Sequence, residues 1–152
     1  MVELPDVNVL VALLDGLHVH HRIAQQWFER GSETGWATCP LTISGVVRVI
    51  SRPQPVGALS VSDARDLLTA LIRANSGTHT FYPDPVDLLD AARFDLTKLQ
   101  GYRQVTDLHL LGIAERHHSA LVTLDSGLIN TLKALREPSL KLLKLLPTES
   151  TA

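Results

Sequence analysis

Asp6, Asp107 and Asp125 are the residues on which chemistry would rest. Asp6 follows the short apolar start Val2–Leu4 and Pro5, Asp107 follows Thr106, and Asp125 closes the run Ala120–Leu124. Carboxylates forced together repel each other and resist ionisation unless a cation neutralises them. Mg²⁺ and Mn²⁺ prefer oxygen ligands, and typically take one or two carboxylates directly, with water and substrate phosphate completing the shell. A cation so held activates water, orients a phosphodiester and stabilises the departing oxygen. Each aspartate also has a plain structural use. Asp6 suits the cap of an apolar helix, Asp107 the first turn of another, and Asp125-Ser126-Gly127 a turn. The chemical reading therefore depends on whether all three reach one edge of a sheet.

The elements around them predict that they do. Val2–Leu4 reads as a strand ended by Pro5, and Val7–Leu14 as a helix stopping near Asp15-Gly16. Val19, Ile23, Trp27 and Phe28 share one face of a helix over 18–30, which Gly31 ends. Trp36–Cys39 reads as a second strand, and Thr42 as the N-cap of a helix stopped before Pro53. Ser60 and Asp63 form a capping-box pattern ahead of an amphipathic helix carrying Leu67, Leu68, Leu71 and Ile72. Thr78–Tyr82 is a third strand, and 84–99 a looser segment with a short helix inside it. Thr106 caps a helix from Asp107 to about His117. After the strand ending at Asp125 come a helix over Leu128–Leu135 and a closing strand over Leu140–Leu146, whose lysines mark an edge. Strands alternating with helices predict a parallel sheet covered on both faces, with the ligand site beyond the strands' carboxyl ends.

The totals narrow the class further. A chain of 152 residues, 45% hydrophobic and 20% charged, is expected to be one globular domain over 1–152. No apolar run approaches the ~18 residues of a membrane span, and the start has no basic leader, so a cytoplasmic protein without membrane contact is expected. Cys39 is the only cysteine, which excludes an internal disulfide. The net charge of −2 excludes a protein that grips nucleic acid mainly by neutralising phosphates. Arg48 and Arg52, read as one turn apart on a helix, and Arg93 and Arg103 are candidate phosphate or protein contacts, with a solvated face as the equal alternative. His18, His20, His21, His117 and His118 lack zinc-ligand spacing, and Trp27 and Phe28 read as core or dimer interface.

Four blocks stand in order along the chain. The first is Leu4-Pro5-Asp6-Val7-Asn8-Val9-Leu10, followed by His21, Ala24 and Trp27. The second is Ala37-Thr38-Cys39-Pro40-Leu41-Thr42 with Gly45 and Arg48. The third is Gln104-Val105-Thr106-Asp107 with Leu110 and Ala114, and the fourth Thr123-Leu124-Asp125. Together they resemble the PIN-domain ribonucleases, particularly the VapC-type toxins of bacterial toxin–antitoxin pairs. The resemblance implies a PIN-like three-layer α/β/α sandwich with a short central parallel sheet. It also implies a Mg²⁺- or Mn²⁺-dependent endoribonuclease that cuts a structured RNA such as tRNA or rRNA, forms a homodimer and is inhibited by a small antitoxin. The family's first, third and fourth acids match Asp6, Asp107 and Asp125; Asn8 matches a loop-fixing asparagine, with Thr42, Thr106 and Arg48 in support. The family usually has glutamate, sometimes glutamine, after the threonine matched by Thr42, and this chain has Ile43. Three readings follow: three carboxylates suffice, Glu115 or another nearby acid substitutes, or the chain is a weakened module that binds RNA or antitoxin.

Overall fold

A computed structural model describes residues 1–31, 34–134 and 138–148. In chain order it has β1 (Glu3–Pro5), α1 (Val7–Leu14), α2 (His21–Gly31), β2 (Trp36–Thr38), α3 (Pro40–Ile50), α4 (Val61–Ala74) and β3 (His79–Phe81). A 3₁₀ turn at Leu96–Lys98 precedes α5 (Arg103–Arg116), β4 (Ala120–Thr123) and α6 (Ser126–Ala134). A second 3₁₀ segment, Pro138–Leu142, leads into β5 (Leu143–Leu145).

The strands pair in parallel throughout, in the order β3-β2-β1-β4-β5. Side chains alternate across a strand, so neighbouring residues feed opposite faces. Leu4, Ala37 and Leu121 pack with Leu108, Leu111, Leu128 and Leu132 of α5 and α6. On the other face Val122 joins Val9, Ala12, Ala24 and Trp27 of α1 and α2. Trp36 joins Leu10 of α1, Val46 of α3 and Leu68 of α4 there. The result is the α/β/α sandwich that the strand–helix alternation predicts. Trp27 and Phe28 belong to this packing: Trp27 is buried and donates to Glu3, and Phe28 meets Trp36 edge-on.

Several boundaries differ from the sequence reading. Thr42 is not the cap of α3; the helix begins at Pro40, whose fixed φ and missing N–H suit a first helical position. The Thr42 hydroxyl accepts instead from the backbone N–H of Cys39, at 2.9 Å. Thr106 is not a cap either, because α5 starts a turn earlier at Arg103. There the Gln104 side chain accepts the Gln100 N–H at 2.9 Å, satisfying the chain ahead of the helix. Arg52 lies beyond the end of α3 at Ile50, so it does not share a helical face with Arg48. The closing strand is three residues long, its first half being 3₁₀, and it does form an edge. Leu135, the expected end of the last helix, falls outside the described residues.

Candidate active site at the carboxyl edge of the sheet

Because β1 lies between β2 and β4, the residues that follow these strands emerge side by side. Asp6 leaves β1 and caps α1: its Oδ1 accepts the Val7 N–H at 2.6 Å. Its Oδ2 accepts from Asn8 Nδ2 and from Thr123 Oγ1, each at 3.0 Å. Thr123 is the last residue of β4, and the pairing of Pro5 with Val122 brings its hydroxyl opposite Asp6. That hydroxyl also accepts the Asp125 N–H at 3.1 Å. Asn8 completes the mesh, with its Nδ2 also donating to Thr123 Oγ1 and its Oδ1 accepting the Leu124 N–H. Asp125 sits exposed, its Oδ1 holding the Gly127 N–H at 2.8 Å. From the sequence Thr123 stands only within the block Thr123-Leu124-Asp125, without a role of its own; a β-branched strand residue two places before Asp125 gives no chemical signal until β1 and β4 are known to be neighbours.

The electrostatics tie Asp107, on α5, to the same place. Its half-buried carboxyl is pushed up to about 7, first by burial and then by repulsion from Asp6 and Asp125. Asp6 is also raised, by burial foremost and by Asp125, against the hydrogen bonds from Thr123 and Val7. Three carboxylates from β1, α5 and the end of β4 therefore share one field. Among the described residues none of the three is in an ion pair. Oxygen-only donors in a common negative field fit a hard divalent cation. Among the described residues no three His, Cys, Asp or Glu side chains are gathered into a ready-made cage.

The other predicted residues fall into two groups. Thr42 is buried within the first turn of α3, and Thr106 is exposed in α5. Arg48 is exposed on α3. Ile43 is half-buried and packs against the cluster of Leu10, Trp36 and Val46, an apolar side chain in an apolar setting. Glu115 lies eight residues beyond Asp107, about 12 Å along the helix axis. Its carboxylate is engaged there by Arg93 at 2.5 Å, beside a cavity of about 870 Å³ that Asp87, Phe94 and Arg116 also line. Despite some burial, hydrogen bonds from Ser139 and Arg93 hold it below the usual carboxylate range. The histidines have structural uses: His21 Nδ1 meets the Ala12 carbonyl at 2.9 Å, and His117 stacks on Tyr82.

A short parallel sheet with acidic residues gathered at its carboxyl edge is the arrangement of a PIN domain. The sequence matches the PIN domain family over residues 4–133, and the chain belongs to that family. Among its curated relatives, ribonuclease VapC38 of Mycobacterium tuberculosis is 44% identical over 146 residues, covering 95% of this chain and 100% of the relative. Ribonuclease VapC39 of the same organism is 40% identical over 134 residues, 88% of this chain and 96% of the relative. Ribonuclease VapC44 is 41% identical over 131 residues, 86% of this chain and 91% of the relative. Among the described residues no helix is long and apolar enough to cross a membrane.

Proposed function

We propose that this protein is a Mg²⁺- or Mn²⁺-dependent endoribonuclease, the toxin of a cytoplasmic toxin–antitoxin pair. The observation that carries the reading is the convergence of Asp6 after β1, Asp125 after β4 and Asp107 on α5 at the carboxyl edge of the sheet, where burial and mutual repulsion raise the Asp107 carboxyl. Crowded carboxylates that resist ionisation are relieved either by a proton or by a cation, and a divalent ion competes for the place the proton holds. The relatives named as ribonucleases supply the substrate class, RNA. Homodimerisation and capture by a small antitoxin protein belong to the same reading, as does a structured target such as tRNA or rRNA.

Asp6 and Asp107 would hold the ion directly, with Asp125 acting through water. The ion, when bound, supplies water activation and charge neutralisation at the phosphodiester. The chain's own part is positional. Thr123 and Asn8 fix Asp6 Oδ2, leaving the carboxylate orientation set before substrate arrives. Asp125 adds negative charge at the exposed lip, where an ordered water can be held and a proton passed to solvent. Cleavage of structured RNA by the purified protein is expected to require Mg²⁺ or Mn²⁺, to stop in EDTA, and to vanish in Asp6→Asn. Cleavage at the wild-type level in Asp6→Asn would overturn the reading.

A second reading rests on Ile43, which puts an apolar side chain where the family usually has an acid. In it the chain is a PIN-like module that binds RNA or antitoxin without cutting. The discriminating variant is Ile43→Glu. Activity that appears only in that variant favours the module; activity already present in the wild type favours the three-carboxylate enzyme.

A further inference from the structure

We propose that Tyr102 and Arg103 form a contact for single-stranded RNA at the entrance to the acidic site, the tyrosine stacking on a base and the arginine holding the adjacent phosphate. This rests on the ribonuclease reading and adds to it the part of the chain that positions substrate. Tyr102 is 80% exposed, so packing does not account for its ring. Among the described residues the other well-exposed aromatic, Phe81, lies in β3, two strands away from β1. Both tryptophans are buried.

The tyrosine is nevertheless held in place. Gln104 accepts the Gln100 N–H and donates to Thr131 Oγ1 of α6, both at 2.9 Å, which ties the segment ahead of α5 to the neighbouring helix. The Val105 N–H closes a further bond onto the Tyr102 carbonyl. An aromatic carried on an anchored backbone loses less freedom when a base stacks on it than one on a free loop. The Arg103 guanidinium lies over the ring, 5.8 Å from its centre, and shares a hydrogen bond with the tyrosine side chain, so the arginine and the largely exposed ring stand together. The guanidinium N–H groups suit a phosphate oxygen. Arg103 also precedes Asp107 by four residues, so the two share a face of α5 about 6 Å apart along the axis. A strand stacked on Tyr102 would thus run its phosphates past Arg103 towards Asp107. With a net charge of −2, the chain must meet the substrate's charge locally, and Arg103 is placed to do so.

The test is titration of a fluorescein-labelled oligouridine in EDTA, where none is cut, with photocrosslinking of its 5-iodouridine counterpart. Tyr102→Ala is expected to weaken binding roughly tenfold, and Tyr102→Phe to restore most of it, because stacking needs the ring and not the hydroxyl. Arg103→Ala is expected to lower the slope of log affinity against log salt by about 0.7, the share of one phosphate on a single strand, and Arg103→Lys to keep it. The crosslinked tryptic peptide should be Leu99–Arg103. Equal binding by wild type and Tyr102→Ala, in a protein that still cuts RNA, overturns this contact and leaves the enzyme reading standing. A wild type that neither binds nor cuts any RNA overturns both.

Discussion

At the scale of single residues, the site is organised by a hydroxyl rather than by its acids. A threonine hydroxyl has one proton to give and two lone pairs to fill. Thr123 uses all three, giving to Asp6 Oδ2 and accepting from Asn8 Nδ2 and the Asp125 N–H. Thr123→Val keeps the shape and removes every one of these bonds, leaving a buried carboxylate oxygen short of a donor. Such a loss costs about 1–3 kcal/mol. The expected outcome is a lower urea midpoint with an unchanged slope, together with reduced RNA cleavage, whereas Thr123→Ser keeps most of both. An unchanged midpoint in Thr123→Val would show that the mesh does not bear on stability. The places of Asp6 and Asp125 after strands were legible in the sequence, whereas Asp107, a turn into α5, is tied to them only through the folded chain's electrostatics. The hydroxyl that links Asp6 to Asp125 was not legible, because its role depends on β1 and β4 being neighbours, a contact 117 residues apart in sequence.

At the scale of elements, the order of strands and helices was legible from periodicity, as was the start of α4 at the Ser60–Asp63 capping box, whereas the starts of α3 and α5 were not. The misread starts, Thr42 and Thr106, were both threonines taken as caps. In each case the chain entered the helix earlier, with Pro40 at the first position of α3 and, in the first turn of α5, Gln104 accepting the Gln100 N–H. The start of α1 did follow its cap, because Asp6 is buried and has the Val7 N–H within reach. What sets α1 against α3 is Gly45, where a Cβ would stand 2.5 Å from Val7 Cγ2. Gly45→Ala is therefore expected to overpack this crossing and lower stability by about 1–3 kcal/mol, although alanine normally favours a helix. Val7 directly follows Asp6, so the same clash should disturb the cap and reduce cleavage. Adding Val7→Ala makes room and should recover much of the lost melting temperature. A Gly45→Ala protein as stable as wild type would mean that the crossing has slack.

At the scale of the whole molecule, the acidic site leaves a signature in how stability varies with pH. The Asp107 carboxyl ionises near 3.8 when unfolded and at about 7 when folded. Between those values the native state holds more of this proton than the unfolded chain, so stability falls as pH rises through the window. Asp6, also raised, contributes with the same sign. His18 and His79 are lowered by burial, so they act oppositely and cost stability as pH falls through the histidine range. A comparison with Asp107→Asn cancels these shared contributions. In EDTA, the melting temperature of wild type relative to Asp107→Asn is expected to drop between about pH 5 and about pH 8. Mg²⁺ should then raise the wild-type melting temperature more at the higher pH, because the ion takes the ionised carboxylate and binds the folded state alone. Differential scanning fluorimetry of the two proteins at both pH values, with and without Mg²⁺, gives the four differences needed. If the wild type loses no stability relative to Asp107→Asn across this range, the carboxylates do not share a strained field and the cation has no charge to relieve.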